Sequence, residues 1–91
     1  MLTHVILMKF TDPADAAEAK EKLEGLEPLI EQIRGITVGV DVVRGEVSWD
    51  LALITRHEDL DDLKGYQGHP EHVRVAGWLR ERLAARASVD F

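Results

Sequence analysis

The sequence predicts an α+β domain in which strands and helices follow one another in the order βαββαβ. Apolar or β-branched residues fill four short runs, at residues 2–10, 36–43, 49–56 and 85–91. Between the first two runs, and again between the last two, apolar residues recur at steps of three and four, the spacing of an amphipathic helix. A chain of 91 residues fits a single domain, residues 1–91.

The first strand, residues 2–10, is apolar on both of its faces. Because side chains alternate along a strand, His4, Ile6 and Met8 share one face, and Val5 and Leu7 share the other.

A long amphipathic helix follows the first strand. Asp12 and Pro13 form a helix-start signal, and the apolar stripe then extends from Ala16 to Ile33. Pro28 lies inside this stretch and predicts a kink, because proline lacks the N–H donor of a helical residue. Gly35 ends the helix.

The next two strands are predicted to form a hairpin. Residues 36–43 are mostly β-branched, and the segment RGEVSWD leads into a further strand at Trp49–Arg56. This third strand is also apolar on both faces.

The second helical region is divided by a glycine-rich elbow. A short helix begins in the acidic segment 58–62 and ends between Gly65 and Gly68. The last helix begins at Pro70, with His69 as its N-cap, and is predicted to run to about Ala85. The remaining residues to Phe91 are predicted to form a closing strand.

This order of elements is that of a ferredoxin-like protomer, in which two helical regions cover one face of an antiparallel sheet. The other face would be bare, yet its residues are apolar. Exposing several aliphatic side chains forfeits several kcal/mol at about 25 cal/mol per Å². A second copy of the chain, packed sheet against sheet, is the expected cover, which predicts a homodimer.

Composition excludes several classes of partner. The net charge of −6 opposes binding to nucleic acid. No apolar run approaches the roughly 18 residues of a membrane span. The absence of cysteine excludes disulfides and thiolate metal sites. Residues 1–10 are predicted to be a strand rather than a leader, so a cytoplasmic location is expected.

The segment YQGHPEHV, residues 66–73, contains the candidate chemical groups. His72, at the third position of the last helix, shares a face with Val75, Ala76 and Leu79 and therefore points inward. Burial and the helix N-terminus should both lower the pKa of His72, which favours a base. Tyr66 could donate its hydroxyl to the imidazole or to a ligand oxygen.

Each of these groups has a structural interpretation as well. His72 and Tyr66 could be a hydrogen-bonded pair that orders the core, and His4 could be a satisfied core histidine. Asp50 could be a turn acid at the start of a strand. The HPEH segment lacks metal-ligand spacing, so neither a metal nor another cofactor is expected.

The motifs HVILMKF at the start, GYQGHPEHV before the last helix and VDF at the end resemble the stress-responsive dimeric A/B barrel (Dabb) family. The similarity in element order covers essentially the whole chain. The resemblance implies a ferredoxin-like protomer whose sheet pairs with that of a partner to form a dimeric α/β barrel.

One plant member of the family, olivetolic acid cyclase, closes a ring in a linear polyketide thioester. By resemblance to its catalytic pair, His72 and Tyr66 would be catalytic. By resemblance to its pocket, His4 and Asp50 would lie beside the ligand, although the cyclase has a histidine where Asp50 stands. The apolar wall would then consist of Ile6, Met8, Val75, Ala76 and Leu79.

Three functions follow as alternatives. The first is a homodimeric protein with a His/Tyr pocket that binds, cyclises or isomerises a small carbonyl-rich compound. The second is a non-catalytic stress or structural dimer in which the elbow only packs. The third is a cofactor-independent monooxygenase on the same barrel. A cavity of a few hundred Å³ beside His72 and Tyr66 would favour the first alternative.

Overall fold

The computed structural model describes the whole chain, Met1–Phe91. Its strands are β1 (Leu2–Phe10), β2 (Gly35–Val40), β3 (Leu51–His57) and β4 (Leu83–Asp90). Its helices are α1 (Asp15–Glu24), α2 (Leu60–Gly68) and α3 (Pro70–Arg80), and a short 3-10 helix covers Glu27–Leu29. With α2 and α3 as two halves of one bent helical region, the order is βαββαβ. The predicted ferredoxin-like fold of the protomer is therefore confirmed.

The four strands form one antiparallel sheet in the order β2-β3-β1-β4. Central strand β1 pairs with β3 on one side and with β4 on the other, so that Val5 lies opposite both Ile54 and Val89. The pairing with β4 also places His4 opposite Asp90, which is 86 residues away in the sequence. The sheet thus brings a polar residue near the end of the chain beside the amino-terminal strand.

The hydrophobic core lies between the helices and one face of the sheet and contains 16 buried residues. From β1 it takes Ile6, Met8 and Phe10, which alternate as the strand period requires. From α1 it takes Leu23 together with two alanines, which allow the helix to approach the sheet closely. Full burial of an aliphatic or aromatic side chain stabilises the fold by about 1.5–3 kcal/mol.

The opposite face of the sheet, termed here the open face, has no helix on it and is apolar. Its cross-strand pairs include Leu7 with Ala52 and Leu7 with Ala87. The β2–β3 connection, residues 41–50, borders this face and exposes Val42 and Val47 almost completely, at 90% and 89%. A groove of about 420 Å³ lies between this connection and the open face.

Strand β4 has the reverse of the usual polarity. Its helix-side positions, which pair with Met8, Ile6 and His4, are polar; they are Arg86, Ser88 and Asp90. Its open-face positions after the register shift are Ala87 and Val89. The polar side of this strand therefore faces the helices, and its apolar side faces away from them.

The predicted first helix is wrong beyond Glu24. Helix α1 ends there, and the N–H of Gly25 bonds to the carbonyl oxygens of Glu21 and Leu23. Pro28, which cannot supply the N–H that a continuing helix needs, lies in the separate 3-10 helix. The stripe beyond this break is nevertheless buried, since Ile30 and Ile33 are 1% and 8% exposed.

The boundaries of the later elements also differ from the prediction. Helix α3 ends at Arg80 rather than near Ala85, because Leu83 already pairs with Phe10 of β1. Strand β2 ends at Val40 rather than at Val43. Strand β3 covers Leu51–His57 rather than Trp49–Arg56, which adds His57 to the helix-side face.

Candidate functional site

Four aromatic side chains meet between the sheet and helices α2 and α3, and we call them the ring cluster: His4, His57, Tyr66 and His72. Tyr66 lies at its centre, with ring centroids 4.9 Å from His57, 4.5 Å from His72 and 6.3 Å from His4. The Tyr66 and His72 rings meet edge to face, an arrangement that aromatic quadrupoles favour.

The local sequence explains why these rings meet. His4 and His57 both occupy helix-side positions of their strands, β1 and β3. Tyr66 lies in the last turn of α2 and His72 in the first turn of α3. The elbow between the helices is His69, whose Nδ1 accepts the N–H of Glu71 at 3.1 Å, as predicted for an N-cap. Pro70 follows at the first helical position, where its missing donor costs nothing.

Two of the three histidines in the cluster are held by hydrogen bonds. The Nδ1 of His4 pairs with the Asp90 carboxylate. His57 is fixed at both nitrogens: Nδ1 donates to the Gln32 carbonyl at 2.7 Å, and Nε2 lies 2.8 Å from the Thr55 hydroxyl. Because a carbonyl can only accept, Nδ1 carries the proton, and the hydroxyl can donate to Nε2 of a neutral ring. Burial lowers the pKa of His57, in agreement with this neutral tautomer.

The other two rings carry buried polar atoms without hydrogen-bond partners. These atoms are the Tyr66 hydroxyl and the Nδ1 of His72. Burial raises the pKa of Tyr66 to about 12, so its hydroxyl stays protonated at neutral pH. Burial also lowers the pKa of His72, so its imidazole is neutral there and can accept a proton. Buried polar atoms are rarely left unpaired, so these two unsatisfied groups set this part of the cluster apart from the rest of the core.

A cavity of about 390 Å³ adjoins the ring cluster at His72. It lies between helices α1 and α3 and the helix-side face of β1, β3 and β4. Nine of its twelve lining residues are hydrophobic: Ile6, Met8, Leu23, Leu53, Ala76, Leu79, Leu83, Ala84 and Ala85. The other three are His72, Arg80 and Arg86. The volume and the largely apolar wall with a few polar groups are typical of a small-molecule site.

The nine residues predicted for the site occupy four places, and Asp50 is alone in the fourth. Five line the cavity: His72, Ile6, Met8, Ala76 and Leu79. Tyr66 and His4 belong to the ring cluster but are not part of the cavity wall, and Val75 is buried in the core.

Asp50 lies outside both the ring cluster and the cavity. It precedes β3, at the end of the strand opposite His57. Its carboxylate accepts the N–H of Phe10 at 2.8 Å and contacts Nη2 of Arg44 at 2.9 Å. The hydrogen bond from Phe10 is the largest cause of the lowered pKa of Asp50. These contacts give Asp50 a structural role in joining β1 to the β2–β3 connection.

Sequence reasoning missed His57, Asp90 and the two arginines of the cavity. His57 continues the alternation of Leu51, Leu53 and Thr55, which point to the helix side of β3. The predicted strand ended at Arg56 and therefore left His57 out. Asp90 and Arg86 share the helix-side parity of β4, but the two faces of this strand were not assigned from the sequence.

Two further structural findings concern metals and membranes. No group of three or more His, Asp or Glu side chains is arranged to hold a metal ion. No helix has the length and apolar character needed to cross a membrane.

Comparisons with known proteins identify the family and the fold. The model of the Stress responsive A/B Barrel Domain matches residues 2–91. A stress-response A/B barrel domain-containing protein of Arabidopsis thaliana is 28% identical over 78 residues, which are 82% of this chain and 30% of that protein. The chain thus spans less than a third of the length of this curated relative.

Solved structures show the same architecture. A dimeric protein of unknown function from Bacteroides fragilis, with a ferredoxin-like fold, is 36% identical at a TM-score of 0.88, covering 99% of this chain and 93% of that one. A dimeric ferredoxin-like protein of unknown function from Thermobifida fusca is 24% identical at a TM-score of 0.87, covering 99% and 88%. Since the family model extends over nearly every residue, the chain belongs to the stress-responsive A/B barrel domain (Dabb) family.

Proposed function

We propose that this protein is a homodimer that binds a small, carbonyl-rich, polyketide-like compound in the 390 Å³ cavity and moves a proton on it through His72. One observation carries the proposal: His72 is the only neutral polar residue of an otherwise apolar and cationic cavity wall. A neutral imidazole in such a wall is suited to act as a general base.

The chemistry assigned to the ring cluster is enolisation. A hydrogen on a carbon between two carbonyl groups is acidic, and the imidazole of His72 accepts it as the enolate forms. The Tyr66 hydroxyl is a protonated donor that no other group engages. Because Tyr66 lies behind His72 rather than in the cavity wall, we assign it the role of a positioning residue that acts on the ligand through His72.

The homodimeric part of the proposal depends on the open face. Val5 and Ile54 lie in its middle, and the exposed valines of the 41–50 connection extend beyond its border. Relatives from Bacteroides fragilis and Thermobifida fusca are described as dimeric. A second copy packed on this face would remove both apolar surfaces from water.

Proton transfer can be tested without knowing the natural substrate. Ethyl benzoylacetate, an apolar β-keto ester, is incubated with the protein in heavy water, and deuterium uptake at its central carbon is followed by NMR. The wild-type protein should accelerate uptake beyond an equal concentration of free imidazole. His72→Ala should lose the acceleration, roughly a hundredfold for a general base, while unfolding changes by less than about 1 kcal/mol. His69→Asn, which preserves the cap, is the matched control.

A packing role for the ring cluster is the second candidate. It is favoured by the complete burial of Tyr66 and by the two hydrogen bonds that satisfy His57. If His72→Ala lowers the unfolding free energy by several kcal/mol and the wild-type protein does not accelerate exchange, the packing role stands and the proposed activity is wrong.

A further inference from the structure

The two arginines of the cavity wall, Arg80 and Arg86, have no carboxylate partner. Four of the seven arginines in the chain lie within 4.0 Å of a carboxylate oxygen: Arg34, Arg44, Arg74 and Arg82. Arg56 is on the open face. The protein has 17 acidic residues and a net charge of −6, so carboxylates are abundant. Two unpaired guanidinium groups at one cavity are therefore a specific local feature.

The backbone explains why both side chains reach the same cavity. Arg86 lies opposite Met8 on the helix-side face of β4, the face that is polar in this strand. His72, Ala76 and Arg80 follow one another at intervals of four residues, so they lie along one stripe of α3. All of these residues line the cavity, which contains no acidic side chain.

The same stripe gives the cavity a direction. At a rise of 1.5 Å per residue, the Cα atoms of His72 and Arg80 are about 12 Å apart along α3. His72 therefore lies at one end of this stripe and Arg80 at the other, with Ala76 between them, and Arg86 of β4 lines the same cavity. An amphipathic molecule of similar length fits this order of groups.

We propose that the cavity selects an apolar molecule that carries a carboxylate, with Arg80 and Arg86 holding the carboxylate at the cavity mouth and the apolar body extending toward His72. This inference rests on the proposed function and names the class of compound. Guanidinium groups suit the role because their planar donors match the two oxygens of a carboxylate. Both arginines are solvent-exposed, so the attraction acts near the cavity opening and should weaken with added salt.

The test compares two probes that share one alkyl chain and differ in the head group, the carboxylate octanoate and the uncharged amide octanamide, by isothermal titration calorimetry at neutral pH. Wild-type protein should bind octanoate roughly tenfold more tightly, as a charge-assisted hydrogen bond provides. Added salt should weaken octanoate binding only.

Variants of the two arginines test whether they cause the preference for octanoate over octanamide. In the Arg80→Gln, Arg86→Gln double variant the preference should fall to about twofold or less, while octanamide binding is unchanged. Arg74→Gln is the matched control, because Arg74 is on the same helix, pairs with Glu71 and does not line the cavity. It should keep the wild-type preference.

The outcomes separate this inference from the proposed function. Equal binding of both probes to wild-type protein, or a preference that survives the double variant, would overturn the carboxylate inference and leave the apolar ligand site standing. Binding of neither probe at millimolar concentration would overturn the inference and the ligand site together.

Discussion

Removing one oxygen atom from the centre of the ring cluster, by Tyr66→Phe, should stabilise the protein. Tyr66 has no exposed surface, and its hydroxyl makes no hydrogen bond. The rings of His57 and His72, at 4.9 and 4.5 Å, hold the tyrosine ring in place, so phenylalanine can adopt the same position. The substitution deletes a desolvated polar group and leaves the packing of the ring intact.

The magnitude follows from the cost of burying a hydroxyl without a partner, about 1–3 kcal/mol from protein substitutions. Part of this gain is offset by the small space that the missing oxygen leaves. We therefore expect the unfolding free energy to rise by about 1 kcal/mol, which raises the Tm of a domain of this size by about 4–8 °C.

Urea unfolding at neutral pH, followed by the fluorescence of Trp49 and Trp78, measures this change. Wild-type and variant proteins are compared at one concentration, because dissociation of the proposed dimer would make the midpoint depend on concentration. Tyr66→Ala provides the reference and should cost about 3–5 kcal/mol, as other buried aromatic residues do. A loss of about 1 kcal/mol or more in Tyr66→Phe would show that the hydroxyl has a partner in solution, contrary to the reasoning here.

Three other predictions concern acid stability, Asp50 and assembly. Burial lowers the pKa of His57 and His72 below the 6.5 of the unfolded chain, so the unfolded state binds more protons as the pH falls through this value. The unfolding free energy should then decrease toward acid pH, and each histidine contributes at most about 1.4 kcal/mol per pH unit. The urea midpoint of His72→Gln should fall less steeply with decreasing pH than that of the wild-type protein. Asp50→Ala should cost about 1–3 kcal/mol in urea unfolding, because the N–H of Phe10 loses its acceptor; a loss of octanoate binding with unchanged stability would contradict its structural role. Leu7→Glu should give monomers by light scattering at micromolar concentration, and a wild-type monomer would refute the dimer.

Much of the fold could be predicted because its signals are local. The period of two in β1 and the β-branched run of β2 identified strands, and the capping chemistry of His69 and Pro70 located the start of α3. The two apolar faces of the sheet were visible from alternation alone.

The errors occurred where non-local contacts determine the structure. The apolar spacing continues from Leu23 to Ile33, but the chain breaks near Gly25 and Pro28 and still buries Ile30 and Ile33. The periodicity of apolar residues predicts which side chains are buried. It does not predict whether they belong to one continuous helix or to two segments. The end of α3 depended on Leu83 pairing with Phe10, a contact that only the assembled sheet provides.

The candidate site was predictable only in part for the same reason. His72 and Tyr66 stand out in the sequence because they flank a recognisable elbow. Arg86 and Asp90 do not, because their place beside the cavity and beside His4 depends on the register between β1 and β4. That register joins the two most distant segments of the chain.

The alternation of β4 has a consequence for divergence among homologous proteins. Its eight residues divide into two interleaved sets, with Arg86 and Ser88 on one side of the strand and Ala87 and Val89 on the other. On the proposed ligand site and the proposed dimer, mutations in the first set would change which compounds bind without altering self-association. Mutations in the second set would alter self-association without changing which compounds bind. A homologue with a different ligand would then keep the same quaternary structure.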